Sequence, residues 1–343
     1  MKRYWHSYII LFVLCTILEA CNKKDSALVL GFGDIRHINE FREKFDLQVD
    51  TTFVIDNNVT DIAIIDTLLL LNSGAWDIRS LPQMTSLGHL FARGHARGEF
   101  EQIPAIYKSA FYMEEGTLFT IIYDVQRGKC FKVNISQSIF DDSLYIEDFN
   151  HKVTRHLDRY LYIDDSTYIT RENIFGSKPK KLSCFENNKE FKNRYFDKMN
   201  SINIASDDYN LLAAFCGYNK KHNKFILVYN QFNVINIIPL NSEASPAITL
   251  CYGDNSISLD DVVNEIDPKT FYYELRIYDS YFAVLCLKDK KHPTIQFYGY
   301  DGSAQIEYKL AKSANSFDID WKNHHLYTYN DEEGTIIRYK IAK

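Results

Sequence analysis

Apolar and polar positions in this chain fall into one recurring unit: an alternating run, a polar or acidic turn, then a second run. The unit is met six times, in DIAIIDTLLLLNS, AFYMEEGTLFTIIYD, RYLYIDDSTYITR, NIASDDYNLLAAFCGY, ELRIYDSYFAVLCLKD and SFDIDWKNHHLYTYN. Each predicts two strands joined by a tight turn. Asp, Asn and Gly suit such turns because they accept left-handed backbone or bond their own chain. The turn acids are Asp66, Glu115, Asp165, Asp208, Asp279 and Asp320, at intervals of 49, 50, 43, 71 and 41 residues. Further strand-like runs lie between the hairpins, among them AWDIRSLP, GKCFKVNI, KFILVYNQFNVINIIPL and GTIIRYKI. Each unit therefore has room for about four strands, and a four-stranded repeat of roughly 40–50 residues is the signature of a propeller blade. The expected fold is all-β: a six-bladed β-propeller of four-stranded antiparallel blades over residues 27–343. A generic sandwich or barrel of hairpins would explain the alternation but not the near-regular spacing. Because the last strand-like run ends at the C-terminus, ring closure calls for an N-terminal strand drawn from Ala27 to Phe53.

Ahead of the repeat stands a different pattern. Lys2 and Arg3 precede an apolar stretch from Tyr8 to Leu18, followed by Leu18-Glu19-Ala20-Cys21. The stretch is too short for a transmembrane helix, which needs about 20 residues. A positive start, a short apolar core and a small residue before a cut make a secretory signal. The ending resembles the lipobox of bacterial lipoproteins, in which the cysteine is acylated and becomes the mature N-terminus. The expected organisation is a signal peptide at 1–20, a lipidated Cys21 with a short tether at 21–26, then the propeller. A plain signal peptide or an uncleaved anchor is the other reading.

The mature 323 residues carry a net charge of −7. That balance argues against a nucleic-acid partner, which would be met by a basic patch. The 24 Tyr and 23 Phe favour strands. Cys130, Cys184, Cys216, Cys251 and Cys286 make an odd set without CxxC, mostly in apolar runs, and read as small buried hydrophobes rather than a disulfide framework.

LFARGHARGEF (Leu90–Phe100), YYELRIYDSYFAVLCLKD and the stretch from IQFYGYDGSAQIEYKL to SFDIDWKNHHLYTYNDEEGTIIRYKI carry a resemblance. They are similar to the TolB-like six-bladed propeller lipoproteins of Bacteroidetes (the BF3164-like group), although Ala96 and Arg97 stand where that family often has Gly and Pro. The resemblance implies a membrane-tethered propeller and no established enzyme activity. Surface-exported lipoproteins of that phylum carry acidic residues after the cysteine. Lys23 and Lys24 stand there instead, so the expected address is the outer membrane, facing the periplasm.

Candidate chemistry is sparse. Arg93, His95, Arg97 and Glu99 lie among Gly94 and Gly98, where two arginines beside glycine-freed amides would suit a carboxylate or phosphate; the alternative is a plain inter-blade turn. His151 and His156, five apart, are a weak zinc signal. The insertion 252–270 is acidic, with Asp260 and Asp261 in a short expected helix capped by Ser258. It lacks the ligand pattern of a calcium-binding EF-hand, and no HExxH, GxSxG or P-loop occurs. Two functions remain. One is a tethered binding module for an envelope protein, peptide or glycan, with no cofactor and no catalytic residue. The other is a propeller hydrolase or lactonase with calcium in its channel, which requires carboxylates or amides converging from several blades.

Overall fold

The computed structural model describes residues 30–341, apart from 56–57, 96–97, 156, 173–179, 203–210, 242–244, 254–269 and 290. Three strands come first, β1 (Asp34–Ile38), β2 (Glu43–Asp46) and β3 (Val49–Val54). Six sheets follow. Blade 1 is β4 (Asp61–Ile65), β5 (Leu68–Asn72), β6 (Trp76–Ser80) and β7 (Thr85–Leu90). Blade 2 is β8 (Phe111–Glu114), β9 (Thr117–Asp124), β10 (Lys129–Asn134) and β11 (Ile146–Phe149). Blade 3 is β12 (Leu157–Tyr162), β13 (Thr167–Glu172), β14 (Lys181–Glu186) and β15 (Lys189–Phe191). Blade 4 is β16 (Ala214–Asn219), β17 (Lys224–Tyr229), β18 (Val234–Pro239) and β19 (Ile248–Tyr252). Blade 5 is β20 (Tyr272–Ile277), β21 (Tyr281–Cys286), β22 (Thr294–Gly299) and β23 (Ala304–Lys309). Blade 6 is β24 (Ser316–Asp320), β25 (His325–Asn330), β26 (Thr335–Lys340) and, closing it, β3.

The expected six-bladed propeller is the fold. Second strands such as LLLLN, KFILVY and YFAVLC are buried along almost their whole length, because a middle strand has a neighbouring blade on each face. Six apolar clusters result, one between each pair of adjacent blades, and the cluster joining Tyr327, Tyr329 and Ile336 to Ile62, Ile64 and Leu69 closes the ring from blade 6 to blade 1. The expected closing strand is β3, which pairs antiparallel with β26 from Val54↔Thr335 to Val49↔Tyr339. Arg338 clasps it by ion-pairing with Asp50 at 2.7 Å.

Five of the six expected hairpins are the inner hairpins of blades 1, 2, 3, 5 and 6. The fourth is not. Asp208 lies outside the described residues, and the inner hairpin of blade 4 turns instead at 220–223, between β16 and β17. That turn is basic, Lys-Lys-His-Asn, and asparagines shape it: Asn219 Oδ1 accepts from the His222 N–H at 2.8 Å, and Asn223 sits at φ 52°. No acidic residue marks this turn in the sequence.

The N-terminal segment does more than close the ring. β1 pairs parallel with the outer strand of blade 4, from Asp34↔Ile248 to Ile38↔Tyr252, and β2 pairs parallel with that of blade 5, from Glu43↔Ile306 to Asp46↔Lys309. The chain thus runs as a belt along three successive blades and covers two outer edges that would otherwise present unpaired backbone. Its start is fixed by a buried polar clamp, in which Thr249 Oγ1 accepts from the Phe32 N–H at 2.7 Å and Asn236 Nδ2 donates to the Leu30 carbonyl at 3.0 Å. Gly33 follows at φ 69°, with the Ala247 carbonyl oxygen 1.9 Å from where a Cβ would stand, so no side chain fits there.

Cys130, Cys184, Cys251 and Cys286 are buried as expected, and Cys216 is partly exposed. No disulfide links Cys130, Cys184, Cys216, Cys251 and Cys286. Burial pushes the Cys130 and Cys286 thiols up to about 12.

Candidate functional site

The first strand of each blade lines the central channel, and in several of them a charged residue sits among apolar neighbours: Asp61 in DIAII, Glu274 and Arg276 in YYELRI, Asp318 in SFDID. Arg276 is the junction of blades 5, 6 and 1. Its Nη1 lies 2.9 Å from Glu274 Oε1, its Nε donates to the Phe317 carbonyl at 2.9 Å, and its Nη2 donates to the Ile62 carbonyl at 2.6 Å and to the Asp61 carboxylate. Burial pushes the Glu274 carboxyl up; the Arg276 charge opposes that and Asp61 adds to it, leaving it near 7. Asp61 and Glu274 together hold the guanidinium charged against its own burial.

The middle of the channel is occupied by the chain itself. The connection from blade 1 to blade 2 ends in a short 3₁₀ turn, Lys108–Ala110, that touches the inner strands of blades 1, 3, 4 and 5. Lys108 Nζ stands 2.9 Å from both oxygens of Asp318 and 4.7 Å from the centre of the Tyr278 ring. Asp318, fully buried, also accepts from Tyr278 Oη at 2.8 Å and from the Ile64 N–H at 2.6 Å. Burial holds the Lys108 ammonium below its ordinary range, and Asp318 opposes the shift without reversing it. A lysine ammonium therefore stands where the inner carboxylate of blade 6 would meet a cation. Among the described residues, no group of three or more His, Cys, Asp and Glu side chains is disposed to hold a metal ion.

The plug divides the channel. On the side of the inner hairpin turns it floors a cavity of about 920 Å³ to which all six blades contribute. The wall is aromatic, with Phe111, Tyr162, Tyr218, Tyr281 and the half-exposed Trp321, and the rim carries Lys220, Lys221, Lys322, Asp66 and Asp279. None of these five rim charges has an ion-pair partner among the described residues. The arrangement is a funnel with aromatic faces and a rim of mixed sign. On the other side of the plug is a second cavity of about 720 Å³, between blades 1, 2 and 3.

The sequence candidates distribute unevenly over these features. Arg93 lines the second cavity. His95 is exposed and lies 3.4 Å from Glu101. Glu99 gives its carbonyl to Arg127 at 3.0 Å, and Gly98 sits at φ 86°, so this segment is built as a turn, pinned by a bridge between Arg93 and Phe100. Arg97, His156, Asp260, Asp261, the rest of the acidic insertion at 254–269, and Cys21 lie outside the described residues. His151 is buried with both ring nitrogens engaged, Nδ1 with Tyr160 Oη at 2.6 Å and Nε2 with the Asp165 carbonyl at 3.0 Å, and it stacks on Tyr168. It is a packed core histidine.

A pH signature follows from Glu274. Its folded pKa lies above the unfolded value, so the stability it contributes is complete below about pH 4.5 and is lost as pH rises through about 7. Glu274→Gln does not titrate. The unfolding free energy of the wild type, relative to this variant, is expected to fall by about 2–3 kcal/mol between pH 4.5 and 7.5, at 1.36 kcal/mol per unit, and then to level off. Parallel curves in denaturant titrations across that range would refute it.

No family model and no curated protein matches the chain. Among solved structures it is similar to a protein of Bacteroides fragilis NCTC 9343 proposed to be exported, at 11% identity over 90% of this chain and 99% of that one, with a TM-score of 0.49. It is also similar to Chaetomium thermophilum Raptor, at 7% identity over 86% of this chain and 29% of that one, TM-score 0.47. A third is the β-propeller domain of Myceliophteria thermophila Cps50 (Swd1), at 11% identity over 86% of this chain and all of that one, TM-score 0.46. These likenesses concern the course of the chain; the six-bladed propeller itself stands on the strand order, the register and the six inter-blade clusters.

Proposed function

We propose that this chain is an envelope lipoprotein, anchored through an acylated Cys21, whose propeller is a binding module for another envelope protein, a peptide or a glycan. The observation that carries the module reading is the plug. Lys108 and Arg276 engage the inner carboxylates Asp318, Asp61 and Glu274, which a channel calcium of the hydrolase type would need as ligands. What remains open is the aromatic funnel, whose exposed Trp321 and unpaired rim charges suit a peptide or a sugar face.

The address rests on the leader and on the resemblance to the TolB-like lipoproteins. Eight residues lie between Cys21 and Leu30, where the belt begins on blade 4, so the anchor holds the propeller within about 30 Å of the bilayer. The lysines after Cys21 favour the periplasmic side of the outer membrane.

Two experiments test the two halves separately. A mass spectrum of the mature N-terminus from native membranes is expected to show a chain starting at acylated Cys21, and Cys21→Ala is expected to leave the membrane fraction. Retention of residues 1–20 or an unmodified end would overturn the anchor. A photo-crosslinking residue at position 321 in intact cells is expected to give a discrete adduct that is absent when the same residue replaces Val54 on the outer rim. Identical patterns would overturn the funnel as the binding face.

A further inference from the structure

The second cavity, behind the plug, has a chemistry of its own. Two consecutive residues of β12, Asp158 and Arg159, both face it, although neighbours in a regular strand point to opposite sides. The register of β12 slips between Leu157 and Arg159, and such a bulge re-aims a side chain. Asp158 is fully occupied, 2.9 Å from Lys180 Nζ and 3.2 Å from Arg171 Nη1. Arg171 is itself buried and donates to the Ala214 and Leu212 carbonyls. Two cations, Lys180 and Arg171, therefore share this carboxylate, and a third, Arg159, stands near it. Arg159 is the one left without a carboxylate in ion-pairing distance among the described residues; the phenol of Tyr107, the residue before the plug, stands near it and lines the same cavity. Burial keeps that phenol protonated and able to donate. Arg93, exposed and also without an ion pair among the described residues, lines the same cavity from the connection after blade 1. Glu101 lines it too, but lies 3.4 Å from His95.

We infer that this cavity binds a small molecule or chain end through a compact oxyanion, a carboxylate or a phosphoryl group, held by the guanidinium of Arg159 with Arg93 as the second cation. A guanidinium fork matches either group in two parallel hydrogen bonds, the local excess of positive charge favours an anion, and about 720 Å³ accommodates a metabolite-sized ligand. The inference does not depend on what the funnel on the opposite face binds.

The test is calorimetric titration of the full-length chain in detergent with inorganic phosphate and, separately, with acetate, at constant ionic strength. Saturable binding of at least one anion is expected; the tighter one identifies the group as phosphoryl or carboxylate. Arg159→Lys, which keeps the charge and loses the fork, is expected to weaken it about tenfold or more, as for a lost charged hydrogen bond. Arg93→Gln is expected to weaken it about threefold or more. Lys309→Gln, exposed at the end of β23 in blade 5 and lining neither cavity, is expected to change nothing. Absence of saturation with both anions, or unaltered affinity in the two arginine variants, overturns the site. Should Arg159→Lys not fold, Arg93→Gln decides: unchanged affinity overturns the site and weakened affinity supports it.

Discussion

Arg276→Met is expected to cost about 3–5 kcal/mol of stability, the range for removing one partner from a buried ion pair. Methionine approximates the length of the arginine stem, so little volume is lost. What is lost is the cation between Asp61 and Glu274, together with the donors to the Ile62 and Phe317 carbonyls. Two carboxylates then face each other across the seam of blades 5, 6 and 1. Two accompanying results separate this electrostatic cause from simple loss of packing. Lowering the pH below about 7, where the Glu274 carboxyl takes up its proton, is expected to shrink the deficit, and adding Glu274→Gln is expected to restore about 1–2 kcal/mol. Amide exchange should accelerate first in β24 and β4, which the guanidinium joins. A cost below about 1 kcal/mol in denaturant unfolding, the size of an exposed pair, would mean that the closing strand alone holds the seam.

The channel residues show what was legible in the sequence. Asp61, Glu274, Arg276 and Asp318 are visible as charges in first strands that are otherwise apolar, and their shared place in the repeat puts them on the channel. Their pairing is not visible, because Arg276 and Asp61 are 215 residues apart and Lys108 comes from a connection with no strand pattern. Arg159 is obscured for a similar reason: alternation would send it away from Asp158, and the bulge that brings both into one cavity is a matter of register. The inner hairpins were legible where Asp or Glu made the turn and illegible at 220–223, where asparagine did. The belt was half legible. Closure demanded a strand near Phe53, but DIRHI and EKFD are polar edge strands, and what recruits them is the unpaired backbone of β19 and β23, which belongs to the assembled sheet and to no local pattern.

That belt sets the second large effect. Phe32→Ala and Phe41→Ala are each expected to cost about 3–5 kcal/mol, as for emptying any large buried aromatic site. Phe32 is 1% exposed and packs in the cluster between blades 3 and 4, with the Lys198 ammonium 5.0 Å from its ring centre. Phe41 fills the cluster between blades 4 and 5, edge-on to Tyr298 at 5.3 Å. Both anchor a segment whose other side chains are largely exposed, so the belt's attachment is concentrated in them and in Leu30 and Leu47. Residues of one segment do not act independently: once one ring is gone the other holds a looser strand, and the double variant should cost less than the two single variants together. The closing strand has its own clasp, Asp50 with Arg338 and Lys340. Amide exchange in the double variant is therefore expected to rise across 34–46 while 49–54 stays protected. If both stretches lose protection together, belt and closing strand are one cooperative unit, and tension on an N-terminal anchor would be carried directly into the seam of the ring.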